Sequence, residues 1–197
     1  MSVSPAPPIL LASTSPQRSA ILAQLGLPFD VVAPDYVEVD PPEADVVQLV
    51  RAHALGKARS VAAQAGGRPV LGVDTAVALG GRLYGKPADE TEAAAMLEEL
   101  AGHTHLVVSG LCLLTSGWEL VEHATTRVTF RPLTAGNIAE YVATGEWEGR
   151  AGGYAIQGRG AALAEDIDGD FSNVVGLPVA LLMRLLAERL PGLYGFG

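Results

Sequence analysis

The sequence predicts an α/β protein with a mixed central sheet flanked by helices. Short apolar runs typical of strands alternate irregularly with segments of helical periodicity. Neighbouring strands are joined by hairpin signals as well as by helices, which favours a sheet with both parallel and antiparallel pairs. With 197 residues, 49% of them hydrophobic, the chain fits a single domain with one apolar core. We therefore expect one domain spanning residues 1–197.

The chain begins with a pattern typical of a strand, a tight turn and a helix. Residues 9–12 form a short apolar run, which predicts the strand. Ser15 has the character of an N-cap, and Pro16 that of the first helical residue. Gly26 follows the apolar face of the helix and predicts its end.

A polar, proline-rich segment over residues 34–42 predicts a loop before a long helix. The helix should span residues 45–64 and end before a pair of glycines. At 100° per residue, Lys57 lies within about 40° of the valines that form the apolar stripe of this helix. The pattern therefore directs Lys57 inward, which is unusual for a lysine.

The remaining elements follow from periodicity and from turn residues. Residues 69–73 predict a strand that presents Asp74 and Thr75 at its carboxyl end, before a hairpin through Gly80 and Gly81. We then expect a helix from about 89 to 102 with a capping box at Asp89 and Glu92, strands over 106–114 and 121–130, a helix over 134–144, a glycine-rich segment over 149–160 and a closing helix over 178–190.

Charge and composition exclude several classes of function. The net charge of −9 argues against general nucleic acid binding, whose affinity depends on Lys and Arg that neutralise phosphates. No apolar run approaches the roughly 20 residues of a membrane span, and residues 1–8 do not fit a signal peptide. The single cysteine, Cys112, lies in an apolar run and predicts an inert buried thiol. We therefore expect a soluble cytoplasmic protein.

The turn over residues 13–18 is a candidate phosphate site. It places hydroxyl groups, free backbone N–H groups and the guanidinium of Arg18 at the start of a helix, where anions are attracted. The alternative is an ordinary serine cap with a surface arginine. Lys57 and Lys86, the only lysines in the chain, also suit phosphate neutralisation. Their alternatives are a lysine stem at the edge of the core and an exposed loop lysine.

Two carboxylates could hold a hard cation. Asp74 follows a strand, where α/β sheets commonly bind ligands, and Glu38 lies in the acidic loop. Read separately, the first is equally a turn-stabilising residue and the second a solvated charge. Together they suggest a Mg²⁺ site completed by substrate phosphates. His103 and His105 could also ligate a metal, but a third ligand at suitable spacing is missing, which favours capping or strand-edge roles.

Five segments in order resemble the signatures of the Maf family of nucleoside triphosphate pyrophosphatases. They are residues 11–18 (LASTSPQR), 72–75 (GVDT), 85–87 (GKP), 151–160 (AGGYAIQGRG) and 175–178 (VGLP). The resemblance covers nearly the whole chain. It implies hydrolysis between the α and β phosphates with Mg²⁺ or Mn²⁺, a homodimer, and two lobes around a long cleft as in inosine triphosphate pyrophosphatases.

The resemblance also implies roles for individual residues. Asp74 matches the proton acceptor that activates water, Glu38 would share metal binding with it, and Lys86 joins them as a catalytic residue. The positions that hold the phosphates are Ser13, Arg18, Lys57 and Lys86. The positions that set base specificity are Gln17, Thr75 and Gln157.

Thr75 and Gln157 match the branch of the family that hydrolyses dTTP and UTP. The amide of Gln157 offers a donor and an acceptor for a pyrimidine edge. Gln17 departs from the pattern, because that branch typically has arginine there and the 7-methyl-GTP branch has tryptophan. The alternatives are therefore a 7-methyl-GTP or broad-specificity pyrophosphatase and, from another class, a nucleotide-binding regulator of septum formation.

Overall fold

The computed structural model describes residues 6–41 and 44–194. The described strands are β1 (Ile9–Ala12), β2 (Phe29–Val32), β3 (Val70–Leu79), β4 (Arg82–Tyr84), β5 (Thr104–Leu114), β6 (Glu119–Phe130) and β7 (Ala164–Asp168). The described α-helices are α1 (Pro16–Gln24), α2 (Val46–Val61), α3 (Glu90–Leu100), α4 (Ala135–Val142), α5 (Phe171–Val175) and α6 (Val179–Arg189). Within these residues, no helix has both the length and the apolar character that crossing a membrane requires.

The strands form one mixed sheet in the order β2-β1-β3-β5-β6-β7, and β4 pairs with β3. Strand β1 is parallel to β2 and β3, while the other neighbouring strands are antiparallel. The α/β fold class with a mixed sheet flanked by helices is therefore confirmed.

Local signals placed most helix boundaries correctly. Ser15 caps α1 by accepting from the N–H of Arg18, and Asp45 caps α2 in the same way. Asp89 caps α3, but the Glu92 carboxylate accepts from the N–H of Ala88 instead of Asp89. The reciprocal half of the predicted capping box is therefore shifted by one residue.

The strand predicted over residues 69–73 is longer than expected. Strand β3 continues to Leu79, so Asp74 and Thr75 lie in the middle of the strand and not at its carboxyl end. The reason is non-local, because the second half of β3 pairs with β4 on one side and β5 on the other. Strand β1 pairs with β3 only as far as Gly72. Asp74 therefore lies just beyond the carboxyl end of β1.

Two elements near the end of the chain were not predicted. Strand β7 carries Asp166 and Asp168 at the edge of the sheet, and Asp170 caps the five-residue helix α5. An acidic edge strand has too little apolar alternation to be recognised locally, and α5 is shorter than a two-turn periodic pattern.

The two faces of the sheet are covered by different helices. Alternate residues of β1 point to opposite sides, as the two-residue period of a strand requires. Ile9 and Leu11 pack in a cluster with α1 and α6, while Leu10 and Ala12 pack with α2. A third cluster joins β3, β5 and β6 to α3 and α4. The three central strands β1, β3 and β5 are therefore buried on both faces.

Helix α2 lies unusually close to the sheet because two facing strand positions lack side chains. A Cβ at Gly72 would lie 2.1 Å from the carbonyl oxygen of Ala54, and one at Gly110 would lie 2.1 Å from that of Val50. The pair sits on the α2 side of β3 and β5. This close approach lets the side chain of Lys57 reach the sheet.

Candidate active site

A cavity of about 340 Å³ lies where the start of α1, the loop before α2, the middle of β3 and the glycine-rich segment after α4 come together. Its volume falls within the range of small-molecule sites. Eight of the predicted site residues line it: Ser13, Gln17, Arg18, Glu38, Lys57, Thr75, Lys86 and Gln157. Asp74, the ninth, is 8% exposed and contacts the cavity residue Lys57. The structure therefore brings together side chains from distant parts of the sequence.

The turn before α1 fixes the guanidinium of Arg18. Nη1 donates to Ser13 Oγ at 3.0 Å, Nη2 donates to Thr75 Oγ1 at 3.2 Å, and Nε donates to the carbonyl of Gly176 at 2.9 Å. All three acceptors are neutral. Burial lowers the pKa of Arg18, and the nearby charges of Asp74 and Glu38 counteract that effect. The arginine is therefore oriented towards the cavity without a bonded carboxylate.

Lys57 joins the two predicted acids. Its Nζ lies 2.6 Å from Glu38 Oε1 and 2.6 Å from Asp74 Oδ1. The lysine is only 6% exposed, which confirms the inward direction expected from helical geometry. The two carboxylates therefore meet at one amine, on the floor of the cavity.

The charge environment keeps Glu38 ionised. Partial burial alone would raise its pKa, but the hydrogen bond and charge of Lys57, with smaller effects from Lys86 and His53, lower the pKa below its ordinary value. An ionised carboxylate at neutral pH is the form that binds a cation.

Lys86 and Gln157 occupy the rim. Lys86 is exposed in the loop after β4, and the carbonyl of neighbouring Gly85 accepts from the N–H of Gly152 at 3.0 Å. This bond connects the lysine loop to the glycine-rich segment that carries Gln157. The turn after Gln157 is held by Glu146, whose carboxylate accepts from the N–H groups of residues 159 and 160 at 3.0 and 3.2 Å.

Gln17 does not point freely into the cavity. Its Oε1 accepts from Ser15 Oγ at 3.1 Å, so its amide belongs to the hydrogen bonds at the start of α1. Thr75 is similarly bonded, since its Oγ1 lies 2.8 Å from Ser109 Oγ and accepts from Arg18.

Arg150 is a cavity residue that was not predicted from the sequence. Arg150 lines the same cavity, and its buried Nε has no hydrogen-bond partner among the described residues. The available signal was an arginine between Gly149 and Ala151 in a glycine-rich segment, where the backbone leaves a long side chain free to reach inward. This adds a further positive charge to the cavity.

His105 and Cys112 belong to the core and not to the site. His105 is fully buried, and its Nε2 lies 2.9 Å from the hydroxyl of Tyr154. Burial lowers the pKa of His105 to about 4 and raises the pKa of Cys112 to about 12. The capping or strand-edge role expected for His105 was therefore wrong, because its ring is buried in the core and β5 lies inside the sheet. The inert buried thiol is confirmed.

The two acids suit a hard cation that is shared with a ligand. Within residues 6–41 and 44–194, no cluster of three or more His, Cys, Asp or Glu side chains could hold a metal ion alone. Glu38 and Asp74 supply two converging carboxylates, which is the donor set that Mg²⁺ uses when phosphate oxygens and water complete its coordination. The residues present therefore fit a cation that arrives with a polyphosphate.

Known proteins resemble this chain over most of its length. The family model described as Maf-like protein matches residues 8–189. A relative from Deinococcus radiodurans, named dTTP/UTP pyrophosphatase, is 46% identical over 98% of this chain and 97% of its own length. Relatives of the same name from Nitratidesulfovibrio vulgaris and Gloeobacter violaceus are 47% and 48% identical over 92% and 91% of this chain, covering 88% and 95% of their own lengths.

A solved structure of a Vibrio cholerae protein is 15% identical, over 71% of this chain and 78% of that chain, with a TM-score of 0.39. A similarity at this level carries no argument about function.

Proposed function

The chain belongs to the family of Maf-like proteins, and from this premise we propose that it is an enzyme that hydrolyses dTTP and UTP to the monophosphate and pyrophosphate. The observation that carries the proposal is the cavity in which Arg18, Lys57 and Lys86 surround a pair of acids. The names of relatives 46–48% identical over nearly the full chain support the same reaction. Neither 7-methyl-GTP hydrolysis nor a regulatory role in septum formation is favoured by these relatives.

The positively charged side chains of the cavity are proposed to bind the triphosphate. In phosphoryl transfer, catalysis comes mainly from positioning and from stabilisation of the developing charge. Arg18 is pre-oriented by three neutral acceptors, so binding an anion does not require it to leave a carboxylate. Ser13 accepts a hydrogen bond from Arg18 and so helps to orient it, and Arg150 adds a positive charge to the same cavity. This local charge explains how a protein of net charge −9 can bind a polyanion.

Asp74 is the proposed proton acceptor. As the anhydride bond between the α and β phosphates breaks, the oxygen of a water molecule bonds to phosphorus and its proton passes to the Asp74 carboxylate. In the structure, the Lys57 amine lies between Asp74 and the cavity. A phosphate that draws the amine towards itself would expose Asp74 to the water.

Glu38 and Asp74 are the residues that would hold Mg²⁺ or Mn²⁺. The cation would supply polarisation of a phosphate oxygen and neutralisation of charge on the triphosphate. Lys86, on the rim, is proposed to share in catalysis by stabilising charge on the phosphates that leave.

Base specificity is assigned to Thr75 and Gln157, with Gln17 as a third position. Gln157 is exposed at the rim, where its amide can donate to and accept from a pyrimidine edge. We also propose that the whole chain acts as one domain, as a homodimer and in the cytoplasm, without nucleic acid as a partner. The span of the family match supports the single domain, and the family resemblance supports the homodimer. The buried lone thiol supports the cytoplasm, and the negative charge argues against nucleic acid as a partner.

A panel of nucleoside triphosphates tests the proposal. We expect pyrophosphate release from dTTP and UTP with kcat/KM well above that for other bases, and none in EDTA. Asp74→Asn should lower kcat by about a thousandfold, the order of a general base contribution, while nucleotide affinity changes little. The matched control is Asp168→Asn, an exposed carboxylate on β7. Full turnover by Asp74→Asn would refute the catalytic assignment, and release of orthophosphate alone would refute the reaction.

A further inference from the structure

The segment that carries Glu38 is attached to α2 by one histidine. Tyr36 and Asp40 lie two residues before and two residues after Glu38, and both bond to His53. The Nε2–H of His53 donates to Asp40 Oδ1 at 2.8 Å, and Nδ1 lies at hydrogen-bond distance, 3.0 Å, from the hydroxyl of Tyr36. A carboxylate can only accept, whereas the tyrosine hydroxyl can accept or donate, so both ring nitrogens have a partner.

Packing supports the same attachment. The Tyr36 ring meets the His53 ring edge-on, with 5.6 Å between centroids. It occupies the space of a side chain at Gly56, where a Cβ would lie 2.2 Å from the nearest ring atom. Glycine inside a helix is less favourable than alanine. Only a glycine leaves room for the Tyr36 ring at this position of α2.

The other residues of the segment contribute little to holding it. Val37 is 80% exposed and Val39 is 68% exposed, so they bury little apolar surface. The alternation directs Tyr36, Glu38 and Asp40 to α2 and the valines to solvent. Apart from Lys57, which bonds Glu38 itself, His53 therefore provides the attachment.

Lys57 cannot hold Glu38 when a cation is bound. The lysine lies one helical turn after His53, and its amine occupies the point between the Glu38 and Asp74 carboxylates, 2.6 Å from each. A divalent cation that binds the same oxygens competes with this amine. The bonds of His53 involve neither carboxylate, so they persist after Lys57 is displaced.

We propose that His53, acting through Tyr36 and Asp40, is a positioning residue that keeps Glu38 beside Asp74 for a divalent cation. The inference rests on the proposed function for the identity of the cation site. Without this attachment, the segment has to be ordered when the cation binds, which weakens affinity. Loss of partners that orient metal ligands typically costs 10- to 100-fold in metal affinity.

The test measures Mn²⁺ binding to the full chain by electron paramagnetic resonance with a non-hydrolysable dTTP analogue bound, together with the Mn²⁺ dependence of activity. His53→Ala should raise the Kd for Mn²⁺ by about 10- to 100-fold. The Mn²⁺ concentration for half-maximal activity should rise in parallel, while kcat at saturating Mn²⁺ changes far less. His103→Ala removes an exposed histidine ring and is the control. It should leave the Kd for Mn²⁺ and the Mn²⁺ concentration for half-maximal activity unchanged.

A second variant covers the case in which His53→Ala does not fold. Tyr36→Phe keeps the ring on Gly56 and removes one hydrogen bond, so it should weaken Mn²⁺ binding severalfold. Unchanged Mn²⁺ affinity in a folded His53→Ala or Tyr36→Phe protein that still hydrolyses dTTP would overturn the positioning role and leave the proposed function intact. If the wild-type chain hydrolysed no nucleotide but His53→Ala still weakened Mn²⁺ binding, the proposed function would fail and the positioning role would stand.

Discussion

The contact of Lys57 with two carboxylates makes a quantitative prediction for Lys57→Met, which keeps the length of the side chain and removes its charge. Each carboxylate oxygen lies 2.6 Å from Nζ, so the two oxygens are at most about 5.2 Å apart. Two unit charges at that distance repel by about 3 kcal/mol at an effective dielectric constant near 20. The Glu38 side chain is 42% exposed, and solvent screening reduces this value. We expect the free energy of unfolding at pH 7 to fall by about 2 kcal/mol.

The pH dependence of this loss has a defined sign. In the wild-type chain the pKa of Glu38 is lowered, so its stabilising effect is present above the unfolded pKa and is lost as the pH falls through the folded pKa. In the variant, protonation of one carboxylate relieves the repulsion between the two. The difference between the two proteins should therefore be largest above pH 5 and shrink below about pH 4.

Urea denaturation in EDTA, repeated with Mg²⁺, measures both effects. Mg²⁺ should stabilise Lys57→Met more than it stabilises the wild-type chain, because no amine competes for the two carboxylates. Lys86→Met is the matched control: its lysine is exposed on the rim, and the change should stay within about 0.5 kcal/mol. Wild-type stability of Lys57→Met above pH 6, or an equal gain from Mg²⁺ in both proteins, would contradict the shared-amine geometry.

Two further predictions concern the frame around the site. Gly72→Ala should lower the free energy of unfolding by about 3 kcal/mol or more, because its Cβ would lie 2.1 Å from a backbone oxygen of α2. Gly117→Ala is the control, because a Cβ there meets no other atom, and it should change the free energy of unfolding by less than about 0.5 kcal/mol. Equal losses for the two variants in denaturation would argue against the close approach of α2 to β3. Burial lowers the pKa of His105 to about 4, so between pH 6.5 and pH 4 the unfolded chain binds a proton that the folded chain does not. The free energy of unfolding should therefore be at its full value above pH 6.5 and fall by up to about 3 kcal/mol towards pH 4. His105→Leu should flatten that slope, and an unchanged slope in pH-dependent denaturation would show that other groups cause it.

The sequence predicted the parts of the site that depend on local geometry. The inward direction of Lys57 follows from 100° per residue along one helix, and the start of α1 follows from a serine followed by proline. Ordered motifs gave the family resemblance and thus the residues that should meet. The first two inferences need only neighbours within a few residues, whereas the resemblance needs the order of motifs along nearly the whole chain.

The attachment of Glu38 by His53 could not be predicted in the same way. His53 lies on the inward face of α2 and resembles an ordinary core histidine until Tyr36 and Asp40 are seen on its two nitrogens. The partners are 17 and 13 residues away across an extended segment. No periodic pattern specifies which loop residue reaches which ring atom.

By itself, the sequence determined the fold class, most helix boundaries and a set of residues that the structure brings together at one cavity. Only the tertiary structure decided that β3 runs past Asp74, that Arg150 enters the cavity and that one lysine amine serves two acids. The physical reason is that helix caps and periodicity are satisfied within a few residues, whereas strand length and side-chain partners depend on which distant backbone and charges pack alongside.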